Sequence, residues 1–297
     1  MRIIPSVREL RSVLSNEQSI VLVPTMGNLH AGHLSLIRRA RTHGGLVVAS
    51  IFVNPLQFAP TEDFATYPRT LERDCALLEA AGCDVAFTPS EQEIYPEPQT
   101  YTVRPPAALA DILEGQTRPG FFTGVCTVVL KLFQIVQPQA TVFGKKDYQQ
   151  LLVIRRMVDE FALPIEIIAG DTVRESSGLA LSSRNGYLDP VDRQEAPRLH
   201  ATLQDVLEQI REGRRDFLTL EREAAARLRQ RAWAPDYVAI RRRRDLGLPA
   251  EGELVVLGAA ALGRTRLIDN LELLPDADQP FHVRKAPVSK WTKSDAW

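Results

Sequence analysis

Ile20-Val21-Leu22-Val23-Pro24-Thr25-Met26-Gly27-Asn28-Leu29-His30-Ala31-Gly32-His33 passes from a short apolar run, through a turn-rich segment, into a helical pattern over 33–43. A buried strand followed at once by a helix is one half of a βαβ unit, and the pattern recurs downstream. Val47 to Val53 is a second apolar run, stopped by Asn54-Pro55. Residues 70–81 read as a helix closed by Gly82, with a strand at Val85 to Phe87. Val125, Val128, Val129, Leu132, Phe133 and Val136 recur at helical spacing and mark a buried stripe. A strand at Thr141 to Phe143, a helix from Asp147 to about 161 and a strand at Ile165 to Ile168 follow. Strands apolar on both faces, separated by helices, predict an α/β fold whose parallel sheet is covered on both sides.

From about residue 173 the pattern changes. Charged helical stretches over 191–212 and 217–231 precede strands at Tyr237 to Arg241, Glu253 to Ala260 and Arg266 to Ile268. The last two are close enough for a hairpin through Leu262-Gly263, which predicts a smaller α+β domain with an antiparallel sheet. The organisation expected is therefore 1–172, 173–275, and a polar, mobile tail over 276–297.

Composition removes several function classes. The chain has 297 residues, 44% hydrophobic and 25% charged, which suits about two globular domains. A formal net charge of -1 offers no basic field for nucleic acid. Arg241 to Arg244 is a basic run, but strand alternation and Asp245 make it a solvated edge. The longest apolar runs, such as Leu254 to Leu262, are too short to span a bilayer. Arg2, Pro5, Arg8, Glu9 and Arg11 stand where a secretory signal needs an apolar core. Cys75, Cys83 and Cys126 lack metal-ligand spacing, and Cys126 lies beside the apolar stripe. A reduced, cytoplasmic protein is expected, without a membrane or nucleic-acid partner.

Ligands of a parallel sheet bind beyond the carboxyl ends of its strands, so polar clusters there carry the functional reading. Three converge: residues 24–33, Asn54-Pro55-Leu56-Gln57, and Gly144-Lys145-Lys146-Asp147 with Gln150 one turn later. His30-x-Gly32-His33 is the most informative. Gly32 admits close backbone approach, the helix start can seat phosphate, and two imidazoles can donate to phosphate oxygens. The alternative is a histidine pair that caps the helix. Lys146 is a point charge for phosphate, and Asp147 can cap the next helix or help hold a metal ion. Gln57 and Gln150 suit a carboxylate or hydroxyl without adding charge. Leu181-Ser182-Ser183-Arg184 is a second phosphate-binding loop. No nucleophile stands out, and there is no G-x-S-x-G, Walker A or G-x-G-x-x-G pattern.

These segments, with Ser50 to Phe58, Tyr67-Pro68-Arg69-Thr70, Leu113-Glu114-Gly115, Arg118-Pro119-Gly120, Gly144 to Gln150, Gly178 to Asn185 and Arg266 to Asn270, closely resemble the pantoate–β-alanine ligase family. The likeness runs in order over about residues 1–272. It implies a homodimeric, cytoplasmic H-x-G-H nucleotidylyltransferase with a Rossmann-like domain and a lid-like C-terminal domain. The implied reaction joins pantoate to β-alanine through pantoyl adenylate, using ATP and Mg²⁺ and releasing AMP and pyrophosphate. Carried over by position, the ATP site would comprise Met26, Gly27, Asn28, Leu29, His30, Ala31, Gly32 and His33. Gly144, Lys145, Lys146, Asp147, Val173 (through its backbone), Leu181, Ser182, Ser183 and Arg184 would complete it. His33 would be the proton donor, with His30, Lys146 and Arg184 also catalytic. Gln57 would meet pantoate and β-alanine, and Gln150 pantoate; no metal ligands are assigned. Three departures stand out: Lys145, Phe121 and Thr123 replace the family's usual Glu, His and Arg, and Lys145 adds positive charge near the phosphates.

Overall fold

The computed structural model describes residues 1–60, 62, 64–250 and 252–273; the tail expected over 276–297 lies outside them. Strands β1 (Arg2–Ile4), β2 (Ile20–Thr25), β3 (Leu46–Ile51), β4 (Val85–Phe87), β5 (Ala140–Gly144) and β6 (Glu166–Gly170) form a six-stranded sheet in the order β1-β4-β3-β2-β5-β6. Every pairing in it is parallel. The expected α/β, Rossmann-like class is therefore the observed one. Strands β2 to β4 progress one way and β5 to β6 the other, so the connection reverses between β2 and β5. At that switch point a crevice opens beyond the strand ends. β5 pairs with β2 only through Val21 and Leu22. The two strands have parted before Pro24, so its lack of an N–H leaves no rung of that ladder broken.

Helices Ala31–Arg41 and Leu71–Ala80 bury Ile37, Ala40, Cys75 and Leu78 with Val23 and Val47. The helix Phe121–Val136 packs Val125, Val129, Leu132 and Phe133 against Leu22, Val48 and Phe143. Each large apolar side chain buried there stabilises the fold by roughly 1.5–3 kcal/mol before entropy is counted. Cys126 is fully buried in the same cluster, as its place beside the stripe predicts. At Gly124 an added Cβ would meet the Leu56 carbonyl oxygen at 2.2 Å. The missing side chain lets this helix press directly on the Pro55–Gln57 turn, at the rim of the crevice.

The second sheet is antiparallel, in the order β7 (Trp233–Arg242), β8 (Leu254–Leu262), β9 (Thr265–Leu273). Its hairpin turns where expected, with Leu262 paired to Thr265 across Gly263. Helices Arg198–Arg211 and Phe217–Arg229 cover one face through Leu203, Val206, Leu220 and Leu228. Ala239, Val255 and Leu257 join the core of the large sheet.

Two expectations need correction. The single helix over 191–212 is two, Pro190–Glu195 and Arg198–Arg211. Pro197 between them has no N–H for the helical ladder. β9 also runs well beyond Ile268, because buried Asp269 and Asn270 interrupt the apolar pattern but are paired. Asp269 receives both terminal nitrogens of Arg174 at 2.6 and 2.8 Å. The basic run is a partnered edge: Arg241 pairs with Glu221, Arg242 with Asp245, and Arg243 with Glu253 and Glu272. Among the described residues no helix is long and apolar enough to cross a membrane.

Candidate active site

The β2 loop is folded around a buried carboxylate. Gly27 and Asn28 both take positive φ (83° and 50°), which turns successive N–H groups inward. Asp74, from the helix Leu71–Ala80, accepts from the N–H groups of Asn28 and Leu29, each at 2.8 Å, and from Thr70 Oγ1 at 3.1 Å. A Cβ on Gly27 would sit 3.0 Å from that carboxylate. The loop's inward N–H groups thus hold Asp74, and what the loop presents to the crevice is its next residues, the histidines.

His30 is the N-cap of the helix Ala31–Arg41, and its ring folds back over Gly32. The Gly32 N–H donates to His30 Nδ1 at 3.1 Å, and the His30 N–H donates to His33 Nδ1 at 3.3 Å. A Cβ on Gly32 would meet the His30 ring at 2.8 Å, so glycine is required for this fold-back. The two rings lie with centroids 4.0 Å apart. Because both Nδ1 atoms accept, each neutral imidazole carries its hydrogen on Nε2. Capping therefore uses the Nδ1 atoms and leaves each Nε2–H for another partner, and one N–H of the helix start is already taken by His30.

Both rings resist protonation. Burial, then the Lys146 charge, lowers His30 to about 4, and burial, then His30 and Lys146, lowers His33 to about 3. Below the ordinary value of 6.5 the unfolded chain takes up protons that the folded chain refuses. Stability is thus full above about pH 7 and falls as pH drops toward the folded values. Between pH 7 and pH 5, His33 alone should remove on the order of 2 kcal/mol. Urea unfolding at both pH values should show that extra loss in the parent relative to His33→Asn; equal losses would contradict it.

The histidines line a cavity of about 230 Å³ together with Met26, Gln57, Gly144, Lys146, Asp147, Gln150, Val173 and Leu181 to Arg184. Most of the residues expected at the site are thereby brought together. Gly27, Asn28 and Leu29 instead shape the loop, and Leu29 is buried in the core. Ala31 is exposed and Lys145 faces elsewhere. The Lys145 ammonium pairs with Asp171 at 2.8 Å and Glu272 at 3.1 Å. The charge expected near the phosphates is therefore paired with carboxylates, one of which, Asp171, lines this cavity. Lys146 has no ion-pair partner among the described residues and lines the cavity. Its turn is held by Asn270, whose Nδ2 donates to the Lys145 and Lys146 carbonyls, each at 2.9 Å. Asp147 is the N-cap residue of the helix Tyr148–Glu160 but makes no side-chain capping bond. The Ser182 hydroxyl accepts from the Arg184 N–H at 3.2 Å, and Leu181 N–H donates to the Val173 carbonyl at 2.9 Å. These bonds shape the second loop, and Asn28 Nδ2 of the first donates to its Ser183 carbonyl at 3.5 Å.

Gln57 is oriented by Asn54, which the sequence places in the same polar cluster, and by Tyr95, which it does not. The Leu56 N–H and the Tyr95 hydroxyl both donate to Asn54 Oδ1, at 3.4 and 2.8 Å. Asn54 Nδ2 must then donate, and it reaches the Gly124 carbonyl at 3.2 Å and Gln57 Oε1 at 3.1 Å. The Gln57 amide is left with its NH₂ as the group to offer, a hydrogen-bond donor for an oxygen-rich ligand. Asp74 has a visible signal, a charge on the apolar stripe of Leu71, Cys75 and Leu78. Asn54 is legible as the end of its strand, but Tyr95 carries no signal, since their meeting depends on the tertiary fold.

Beside this cavity lies a second, of about 500 Å³, that shares Arg118, Phe121, Lys146, Asp147, Gln150 and Arg184 with it. Arg118 donates to Glu62 through Nε at 2.6 Å and Nη2 at 2.7 Å, and Nη2 also reaches the Gln57 carbonyl at 3.2 Å. Its guanidinium lies 3.7 Å from the Phe121 ring centroid. Burial pulls the Glu62 carboxyl upward, but the bonds and charge of Arg118 outweigh it and hold the group below its usual range. The departure at Phe121 thus supplies a flat apolar support for Arg118, while the Thr123 carbonyl accepts from Thr127 within the helix.

Among the described residues no group of three or more His, Cys, Asp or Glu could hold a metal ion. Asp147 and Asp171 are the carboxylates that line the smaller cavity. That set makes no protein cage, but it suits a magnesium ion that keeps its waters and arrives on phosphate.

A family model described as pantoate–β-alanine ligase matches residues 2–272. A pantothenate synthetase of Leptothrix cholodnii is 58% identical over 285 residues, 92% of this chain and 100% of that protein. The crystal structure of the pantothenate synthetase from Thermus thermophilus superposes with a TM-score of 0.88 at 46% identity, covering 93% of this chain and 100% of that one. That of the pantoate–β-alanine ligase from Francisella tularensis, complexed with beta-gamma ATP and β-alanine, gives 0.78 at 36% identity, covering 91% and 97%.

Proposed function

The chain belongs to the pantoate–β-alanine ligase family, and from that premise we propose that it condenses pantoate with β-alanine in two steps through pantoyl adenylate. It is an ATP-using ligase of pantothenate biosynthesis. In the first step a pantoate carboxylate oxygen attacks the α-phosphorus of ATP, the bond to the bridging oxygen breaks, and pyrophosphate leaves. In the second the β-alanine amine attacks the acyl carbon, loses a proton, and AMP departs with the bond to its oxygen.

The observation that carries this reading is the neutral histidine pair with both Nε2 hydrogens free, beside Lys146 and Arg184 in one cavity with Gln57 and Gln150. Charge builds on phosphate oxygens as pyrophosphate departs, and preorganised donors stabilise it without reorganising. His33 and His30 donate those hydrogen bonds, and Lys146 and Arg184 add positive charge. Gln57 and Gln150 hold pantoate, and Gln57 also meets β-alanine. A phosphorylated acceptor would call for more cations on the glutamine side, which disfavours transfer of AMP to a phosphate ester. A magnesium ion bound with the nucleotide would neutralise the phosphate oxygens further, with Asp147 and Asp171 the carboxylates that line the cavity to meet it.

On family membership we further take the enzyme as a cytoplasmic homodimer, with residues 1–172 binding ATP and pantoate and 173–275 forming a lid. The two-step reading is tested by supplying ATP, Mg²⁺ and pantoate without β-alanine. Pyrophosphate chemistry at ATP should then already proceed.

A further inference from the structure

Resting on that reading, we propose that the Arg118 guanidinium is the seat for the carboxylate of the amine substrate, and that Glu62 is an internal carboxylate which the substrate displaces. β-Alanine carries its amine and carboxylate on two methylenes, so the two ends are only about 4 Å apart. While the amine attacks the acyl carbon, its carboxylate needs a cation within that short reach. Pantoate cannot be the ligand of this cation, because its own carboxylate must face the α-phosphorus, and pairing it with a guanidinium would blunt the nucleophile.

The other cations at the two cavities are committed or remote. Arg266 is held by Glu114 and Asp236, with contacts of 2.6 Å to each. Arg264 is exposed on the β8–β9 turn. Lys146 and Arg184 line both cavities, and the proposed chemistry assigns them to the phosphate oxygens. Arg118 stands in the wall shared by both cavities, and it donates to the backbone oxygen of Gln57. Its fork is locked by the Phe121 ring on one face. The two nitrogens that hold Glu62 do so in the bidentate geometry that a guanidinium offers any carboxylate. The bound Glu62 oxygens thus trace the positions that a substrate carboxylate would take. A guanidinium there also favours the neutral, attacking form of the nearby amine.

Arg118→Gln keeps a polar stem over Phe121 and removes the charge. It should raise KM for β-alanine about 10- to 150-fold, the range for losing a hydrogen bond to a charged group. Preference for β-alanine over the uncharged 3-aminopropanamide should fall at least tenfold in the same variant. KM for pantoate, read from pyrophosphate exchange without amine, should move far less. Glu62→Gln breaks the same ion pair from the other side. A KM for β-alanine at or below the parent's there supports displacement, whereas a rise like that of Arg118→Gln makes the pair merely structural and overturns the proposal. It is also overturned if Arg118→Gln leaves β-alanine preference unchanged, or if pantoate KM rises as much as that for β-alanine. Absence of pantoate-dependent exchange in the parent would instead refute the two-step chemistry, independently of Arg118.

Discussion

His33→Ala should slow adenylate formation by about 10² to 10³ while ATP affinity falls little. The size follows from losing one preorganised donor to developing charge, typically about 2.7–4 kcal/mol. The selectivity for rate over affinity follows from the timing of that charge, which appears on the phosphate oxygens only as pyrophosphate leaves. The imidazole is half-buried and neutral, with its Nδ1 occupied by the His30 N–H, so Nε2–H is what it can offer. The same bond makes His33 part of the helix start, and a purely capping histidine predicts a different pattern. Single-turnover rates and a melting curve on the one variant separate the two. Normal adenylation with a lowered melting temperature would reject the catalytic role.

Gln57→Ala should weaken pantoate use far more than ATP binding, by about 1–3 kcal/mol, or roughly 5- to 150-fold in KM. The Gln57 NH₂ points into the cavity because Asn54 Nδ2 holds its carbonyl oxygen at 3.1 Å. Removing the amide leaves a ligand oxygen without its donor. Gln150→Ala should act in the same direction, since Gln150 lines both cavities. Pantoate saturation curves from exchange kinetics, beside calorimetric ATP titrations, measure the split. Unchanged pantoate saturation in both variants would defeat the assignment.

What the sequence reveals follows the range of the interactions involved. The sheet and the 121–136 helix depend on apolar periodicity, and His30-x-Gly32-His33 depends on neighbours three residues apart, so both are legible. Asp74 reaches Leu29 across 45 positions, and Tyr95 reaches Asn54 across 41. Such contacts exist only once β2, β3 and β4 lie side by side. The pattern ends β9 too soon because its buried polar pair breaks the alternation. Asn270 nevertheless anchors the Lys145–Lys146 turn from the other sheet, which ties that strand to the wall of the smaller cavity. Lys145 shows the opposite difficulty: its charge is visible in the sequence, but its partners, Asp171 and Glu272, are not.

The measurement closest to the central claim is exchange of labelled pyrophosphate into ATP, with Mg²⁺ and pantoate present and β-alanine absent. A site that positions a carboxylate against the α-phosphorus, and stabilises departing pyrophosphate by hydrogen bonds and fixed charge, must run that half-reaction reversibly. Label should therefore enter ATP at a rate that depends on pantoate, and free pantothenate should form only when β-alanine is added. No incorporation without β-alanine, from enzyme that makes pantothenate with it, would contradict the adenylate route.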